Sequence, residues 1–451
     1  MGSAFLVLFI IAEIILTVLT FTRFGEKAQW LKNRVIVTAA ETALLLAIIL
    51  LPTTHMKWRF AAALTVLIIR LLIEGICFLA KRRNAEGKKN KAGVILGFIL
   101  SVVIVGLSAT PALIFSNYNG LEPTGEYDVR ECSAILVDKN RPDTFENDGS
   151  NREVPAHFYY PDAAGSYPLV VFSHGAFGYY QSNFSTYEEL ASNGYIVVSL
   201  DHPHHAFFTT DTDGKTITVD SNFINTALRV SNGEVTDSNE LYKIEQEWME
   251  LRTRDENFVL DTIKEAVNSG SLNDTWHTES ESEVLSVLKI ANTDKIGLLG
   301  HSMGGATSVG IGRQRDDIDA VIVLDGTMLT EVVSVKDGQK SFNEDPYPVP
   351  ILDFTKESDY NERMQTKSGN AFMYVNDFVI DHAKDGRMVV FKNAGHMDFT
   401  DLPLISPVLG DMLGSGDVDN EQFMNTVNGI VLNWFDYYLK GEGSLNIAET
   451  Y

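Results

Sequence analysis

Four long apolar runs open the chain, at 4–21, 35–51, 60–80 and 92–115, each near the roughly 20 residues a helix needs to cross a hydrocarbon layer. Beyond residue 115 the pattern changes to short β-branched runs alternating with segments of helical period. Strands are predicted at 156–161, 168–174, 195–202, 295–301, 319–325, 349–355 and 387–393, several of them continuously apolar, as in a sheet buried on both faces. Helices are predicted between them at 187–192, 245–267, 304–313 and 421–439. This alternation predicts an α/β domain with a mostly parallel sheet, whose chemistry belongs at the carboxyl ends of its strands. Three regions follow: a four-helix transmembrane region at 1–115, a linker with a first strand region at 116–150, and the α/β domain at 151–451. Residues 207–244 interrupt the rhythm with polar and turn-forming residues, either as a lid over a site or as a surface excursion.

Charge separates the two parts. Residues 1–115 carry 13 Lys/Arg against 5 Asp/Glu, leaving 23 against 55 for the rest. An acidic domain of that balance argues against nucleic acid as a partner. Basic residues also orient the spans, since Lys and Arg stay on the cytoplasmic side. Arg23, Lys27, Lys32 and Arg34 lie between the first two runs, only Lys57 and Arg59 between the next two, and six basic residues in "KRRNAEGKKNK" before the fourth. The expectation is a multi-pass membrane protein with both termini and the acidic domain on the extracytoplasmic face, and Trp30 and Trp58 near span ends as interfacial anchors. Glu13, Glu41, Arg70 and Glu74 fall inside the runs, and Arg70 and Glu74 are spaced to pair on one helix face. Cys132 is the single cysteine after residue 115, so that part has no internal disulfide.

The stretch "KIGLLGHSMGGATSVGIG" places Gly300, Ser302 and Gly304 in a G-x-S-x-G pattern between a predicted strand and a small-residue helix, the context a nucleophile elbow requires. A serine hydroxyl needs a base, and the base needs an orienting carboxylate; in this arrangement the chain order is serine, acid, histidine. Of the two downstream histidines, His396 follows the last strand, whereas His382 precedes it and reads as an exposed polar residue. Asp325, at a strand end beside Gly326, is the preferred acid, with Asp359 or Glu357 after the next strand as the alternative. The Met303 amide supplies one oxyanion donor, and the Ala176 amide in "VVFSHGAFG" the other. In "DHPHH", neighbouring histidines cannot converge on one ion, so no metal or other cofactor is expected. Phe177, His202 and His204 read instead as residues of the pocket rim.

Taken in order, "FSHGAFG", "DHPHH", "GHSMGG", "LDG" and "GHMDFTDLP" resemble the platelet-activating factor acetylhydrolase group of α/β hydrolases, the plasma and intracellular type II kind, over about 150–440. "RTRDENFVLDTI" at 252–263 is similar to the helix before the elbow strand in that group. The resemblance implies an α/β-hydrolase fold with Ser302 as nucleophile, Asp325 as acid, His396 as base and Ala176 and Met303 as oxyanion donors. It also implies metal-free hydrolysis of short or oxidised acyl chains of phospholipids of the 1-alkyl-2-acetylglycerophosphocholine type. The four-span region is a departure from that group and leaves substrate and compartment open. The expected function is a membrane-anchored serine esterase acting on a small or lipid ester beside a bilayer. The alternatives are a general carboxylesterase, thioesterase or peptidase of the same fold, or a membrane sensor whose hydrolase-like domain only binds.

Overall fold

The computed structural model describes residues 1–23, 26–81, 87–146, 148–367 and 374–451. The chain divides into two units, one formed by Met1–Gly120 with Leu402–Met412, the other by Leu121–Asp401 with Leu413–Tyr451.

The first unit holds four helices long and apolar enough to cross a membrane: α1 (Gly2–Thr22), α2 (Lys27–Leu50), α3 (Ala61–Lys81, entered through the helical turn Lys57–Phe60) and α4 (Lys91–Ser108). Leu, Ile and Val cover their outer faces, whereas Phe5, Phe9, Leu45, Phe60, Leu67 and Val105 close the interior. The fourth run was predicted to continue to residue 115, but α4 stops at Ser108. A five-residue helix, Thr110–Ile114, follows with Pro111 in its first turn, where a missing N–H costs nothing. The Lys27 amide donates to the Gly87 carbonyl (3.1 Å), so the α1–α2 and α3–α4 connections share one end of the bundle. Arg34, counted in a loop from sequence, lies inside α2 with its guanidinium among the helices. Arg82 and Arg83 of the basic stretch fall outside the described residues. Between Asp401 and Leu413 the chain returns to this unit. There Ser116 donates from its amide to the Ile405 carbonyl (2.8 Å) and Ser406 from its hydroxyl to the Ile114 carbonyl (2.9 Å).

The second unit is built on a nine-stranded sheet. Its strands are β1 (Val129–Pro142), β2 (Asn151–Pro161), β3 (Tyr167–Ser173), β4 (Ile196–Leu200), β7 (Trp276–His277), β8 (Ala291–His301), β9 (Ala320–Leu324), β12 (Ile351–Lys356) and β13 (Gly386–Phe391). Two separate hairpins supply the rest, β5 (Phe208–Thr210) with β6 (Thr216–Thr218) and β10 (Val332–Lys336) with β11 (Gln339–Phe342). The order β13-β12-β9-β8-β3-β4-β2-β1-β7 is parallel from β13 to β4 and antiparallel beyond. Period-two alternation along β3 explains the layers. Phe172 points to one face, where its ring meets Tyr187 of the helix Phe184–Ser192 at 5.0 Å. Leu169 and Val171 point to the other, into a core shared with Val259, Leu260 and Ile263 of the helix Ser238–Ser269. That helix begins earlier than its apolar period suggested, because Asp237 caps it by accepting from the Asn239 and Glu240 amides. Residues 207–244 are not irregular: they form the β5–β6 hairpin, the amphipathic helix Ser221–Ser231 and the start of Ser238–Ser269.

Glu256 lies fully buried on that long helix, and neither of its carboxylate oxygens accepts a hydrogen bond. Burial raises its carboxyl to about 8 from 4.5, against the opposing pull of Arg252 and Arg315. A carboxyl raised on folding contributes stability that is fully present below its unfolded value and lost as pH rises through its folded value. The melting temperature of the protein is therefore expected to fall between about pH 5 and pH 9 more steeply than that of Glu256→Gln, as thermal scans across that range would read; parallel curves would refute the burial effect.

Candidate active site

Three of the residues that matter sit where parallel strands end. β8 ends at His301, and Ser302 caps the helix Met303–Gln314 with φ 54° and ψ −121°, a conformation that costs a non-glycine residue on the order of 1–3 kcal/mol. The turn exists because its neighbours lack side chains. A Cβ on Gly300 would enter the backbone of Gly304, and one on Gly304 would strike the Ser173 carbonyl. The Ser302 amide donates to the Leu324 carbonyl (2.8 Å), tying the elbow to the end of β9. Asp325 follows at φ 47°, and a Cβ on Gly326 would meet the Ser302 carbonyl, so the elbow and the acid-bearing turn are packed backbone to backbone.

His396 begins a short helical turn after β13, in a loop fixed by Asp398, whose carboxylate accepts from the Gly395 (2.7 Å) and Gly416 (2.8 Å) amides. His396 Nδ1–H donates to Asp325 Oδ2 at 2.6 Å, which leaves Nε2 as the free ring nitrogen. Burial pushes the Asp325 carboxyl up, but the hydrogen bond from His396, aided by Lys356, outweighs it and leaves the carboxyl below its ordinary value. Asp325 thus stays ionised and acceptor-only. His301, buried beside His396, is driven by desolvation down to about 3 and is neutral. Its Nε2–H donates to the His396 carbonyl at 3.1 Å, so it positions the loop without adding charge. Among the described residues Ser302 Oγ makes no hydrogen bond to His396; in unliganded hydrolases that contact is often slack.

The alternative acid has a different partner. Asp359 is about half exposed and pairs with Lys356 Nζ at 3.1 Å, while His396 goes to Asp325. His382 is exposed and donates to the Phe378 carbonyl one turn back (2.8 Å).

The loop after β3 carries the other half of the site. Gly175 sits so close to Ser302 that a Cβ there would come within 3.2 Å of the serine Cβ. Ala176 follows, then Phe177 at φ 61°, half-buried with its ring 5.3 Å from Phe223 of the helix Ser221–Ser231. Among the described residues neither the Ala176 nor the Met303 amide donates to a backbone carbonyl, which leaves both N–H groups available. Ser302, Asp325, Phe177 and His204 all carry positive φ, and backbone strain of this kind gathers at functional sites.

Two histidines expected at the rim lie elsewhere. His202 is fully buried: its Nδ1–H donates to Asp255 Oδ2 (3.0 Å) and its Nε2 accepts from Ser173 Oγ (2.8 Å). This is a second serine, histidine and aspartate in line, sealed from solvent, with burial lowering the imidazole to about 4. His204 is turned away and stacks on Phe145 at 4.4 Å, facing Asp143 and Glu146. Both corrections have one cause: the "DHPHH" segment faces a buried ionic centre. Arg152 grips Asp255 through Nε (3.1 Å) and Nη2 (2.8 Å), and Arg141 adds a bond at 2.7 Å.

Sequence reasoning missed what that centre supports. Arg252, fully buried, donates from Nη1 to the His174 carbonyl (2.5 Å) and from Nη2 to the Gly175 carbonyl (3.3 Å), the two peptide oxygens just before Ala176. The available signal is the paired arginines and acids of "RTRDEN". Arg252→Met is expected to lower kcat toward a short-chain ester by roughly 10²–10³, the scale of one lost oxyanion donor, with little change in KM. A rise in KM at constant kcat would show instead that Arg252 only shapes the binding cleft.

Parallel strands in this order, with a strained serine after β8, an aspartate after β9 and a histidine after β13, define an α/β hydrolase. Residues 153–443 match the family described as platelet-activating factor acetylhydrolase, isoform II, and the chain belongs to that family. Curated relatives include platelet-activating factor acetylhydrolases of Bos taurus, 23% identical over 278 residues (60% of this chain, 57% of the relative), and Cavia porcellus, 25% identical over 302 residues (64% and 61%). The chain thus spans about three fifths of the length of each. Among solved structures, a ferulic acid esterase from Streptomyces cinnamoneus aligns with a TM-score of 0.52 at 20% identity, covering 72% of this chain and 95% of that one, a likeness of fold.

Proposed function

We propose that the protein is a membrane-anchored serine esterase. The observation that carries this reading is the 2.6 Å hydrogen bond from His396 to Asp325 beside Ser302, which sits at φ 54°. Ser302 Oγ attacks the ester carbonyl while its proton passes to His396 Nε2, and the Ala176 and Met303 amides take the charge that develops on the carbonyl oxygen. His396 then gives the proton to the departing alcohol. Water, deprotonated by the same imidazole, releases the acid from the acyl-enzyme and restores the serine.

For the substrate, family membership favours a phospholipid with a short or oxidised acyl chain, and the half-buried Phe177 offers an apolar wall near the oxyanion loop. Hydrolysis by the purified full-length protein should be fastest on short-acyl phospholipids among a set including simple short-chain and long-chain esters, thioesters and peptide amides. Faster turnover of simple esters than of any phospholipid would make it a general carboxylesterase.

The four apolar helices act as the anchor, with the catalytic domain on the extracytoplasmic face. In support, the two strongly basic connections share one end of the bundle. Protection of the carboxyl-terminal tail from added protease in intact cells would reverse that orientation.

A further inference from the structure

Inside the first unit, three carboxylates face two guanidiniums. Arg34 of α2 donates to Glu13 of α1 (3.2 Å) and Glu74 of α3 (2.6 Å), and Arg70 of α3 donates to the same two carboxylates, to Glu74 at 3.0 Å. Thr38 adds a bond to Glu74 (2.6 Å), and Ser101 of α4 accepts from Arg34 (3.3 Å). The pairing of Arg70 with Glu74 read from sequence is present, within a larger cluster. Glu13 and Glu74 therefore each have two cations.

Glu41 has none to itself. Its side chain is 4% exposed, and neither oxygen accepts a hydrogen bond. The nearest cation is Arg70 Nη1 at 3.8 Å, an N–H group that itself has no acceptor. Three acids against two bases leave one negative charge unmatched among helices that would lie in hydrocarbon, where an unsolvated carboxylate is disfavoured.

We propose that Glu41 is the proton-binding site of the membrane unit, its carboxyl carrying the proton that brings the cluster to neutrality. The ligand is a proton and not a metal ion. A hard cation needs about six oxygen ligands, whereas Glu41 is flanked by an unpaired guanidinium N–H. Release of the proton pulls Arg70 from Glu13 and Glu74 toward Glu41, so the protonation state of one side chain sets how α1, α2 and α3 are tied together. No charged group of α4 takes part among the described residues. This inference rests on reading the helices as membrane spans and is independent of the esterase chemistry.

N,N′-dicyclohexylcarbodiimide partitions into lipid and adds only to protonated carboxyl groups. Full-length protein in lipid nanodiscs, treated with this reagent and mapped by peptide mass spectrometry, should carry the adduct on Glu41. Labelling should fall about tenfold per pH unit above its midpoint, be unaffected by sodium or potassium, and vanish in Glu41→Gln. Because wild-type peptides resolve each glutamate, the result does not depend on the variant assembling. Modification confined to Glu13 or Glu74, no adduct on Glu41 at any pH, or protection by an alkali cation would each overturn the assignment.

Discussion

Ser302→Ala should lower kcat/KM for ester hydrolysis by roughly 10⁵–10⁶-fold while leaving the melting temperature within a few degrees of the wild type. The magnitude follows from the proposed division of labour in the site. Without the Oγ there is no acyl-enzyme, and neither His396 nor Asp325 can substitute for the nucleophile. What survives is binding and the two oxyanion amides, whose combined effect leaves about 10³–10⁴ over the uncatalysed reaction. Stability should change little because the strain at this position lies in the backbone, held by the Leu324 carbonyl and by glycines at 300, 304 and 326 that the substitution leaves intact. A fluorophosphonate probe should label the wild type at Ser302 and fail on the variant. Equal labelling of both, or equal turnover, would reject Ser302 as the nucleophile, and a wild type that neither labels nor turns over any ester would revive the view of this domain as a binding module.

The buried second constellation of Ser173, His202 and Asp255 shows why residue types alone are a weaker warrant than they look. Its residue types are those of a hydrolase site, yet each is sealed in the protein and serves the loop above. The elbow was legible because its glycines, strand and small-residue helix form one local pattern. The fold was legible because central strands such as "PLVVFS" and "AVIVL" are continuously apolar. Other features depended on distant partners and left no local trace. Arg252 reaches back to the carbonyls of residues 174 and 175, Arg152 crosses from β2 to Asp255, and His202 turns inward to meet that aspartate. Residues 207–244 misled for a related reason. Their polar composition reads as a loop, whereas the ordering comes from Phe223, whose ring stacks on His205 at 3.8 Å and meets Trp248 edge-on. Within the first unit the i, i+4 spacing of Arg70 and Glu74 was visible, but the convergence of Glu13, Arg34 and Glu41 from two other helices was not.

Asp325→Asn should cost about 10⁴-fold in kcat, and Asp359→Asn close to nothing, a contrast that tests the choice between the two acids directly. The carboxylate of Asp325 accepts from His396 Nδ1–H, so Nε2 is free to take the serine proton. An amide in its place presents NH₂ as readily as C=O toward the ring, which favours the tautomer with the hydrogen on Nε2, unable to act as base. Charge is lost as well. In the proposed mechanism the ionised Asp325, held so by His396 and Lys356 despite burial, stabilises the imidazolium that forms during attack, and the amide cannot. Asp359, half exposed and paired with Lys356, faces neither ring nitrogen. Its substitution removes only a surface ion pair of about 0–1 kcal/mol. Circular dichroism of both variants would separate misfolding from lost chemistry. A folded Asp325→Asn protein with near-native turnover, or a collapse of activity in Asp359→Asn, would move the acid to the end of β12 and require the His396 loop to swing there in the working enzyme.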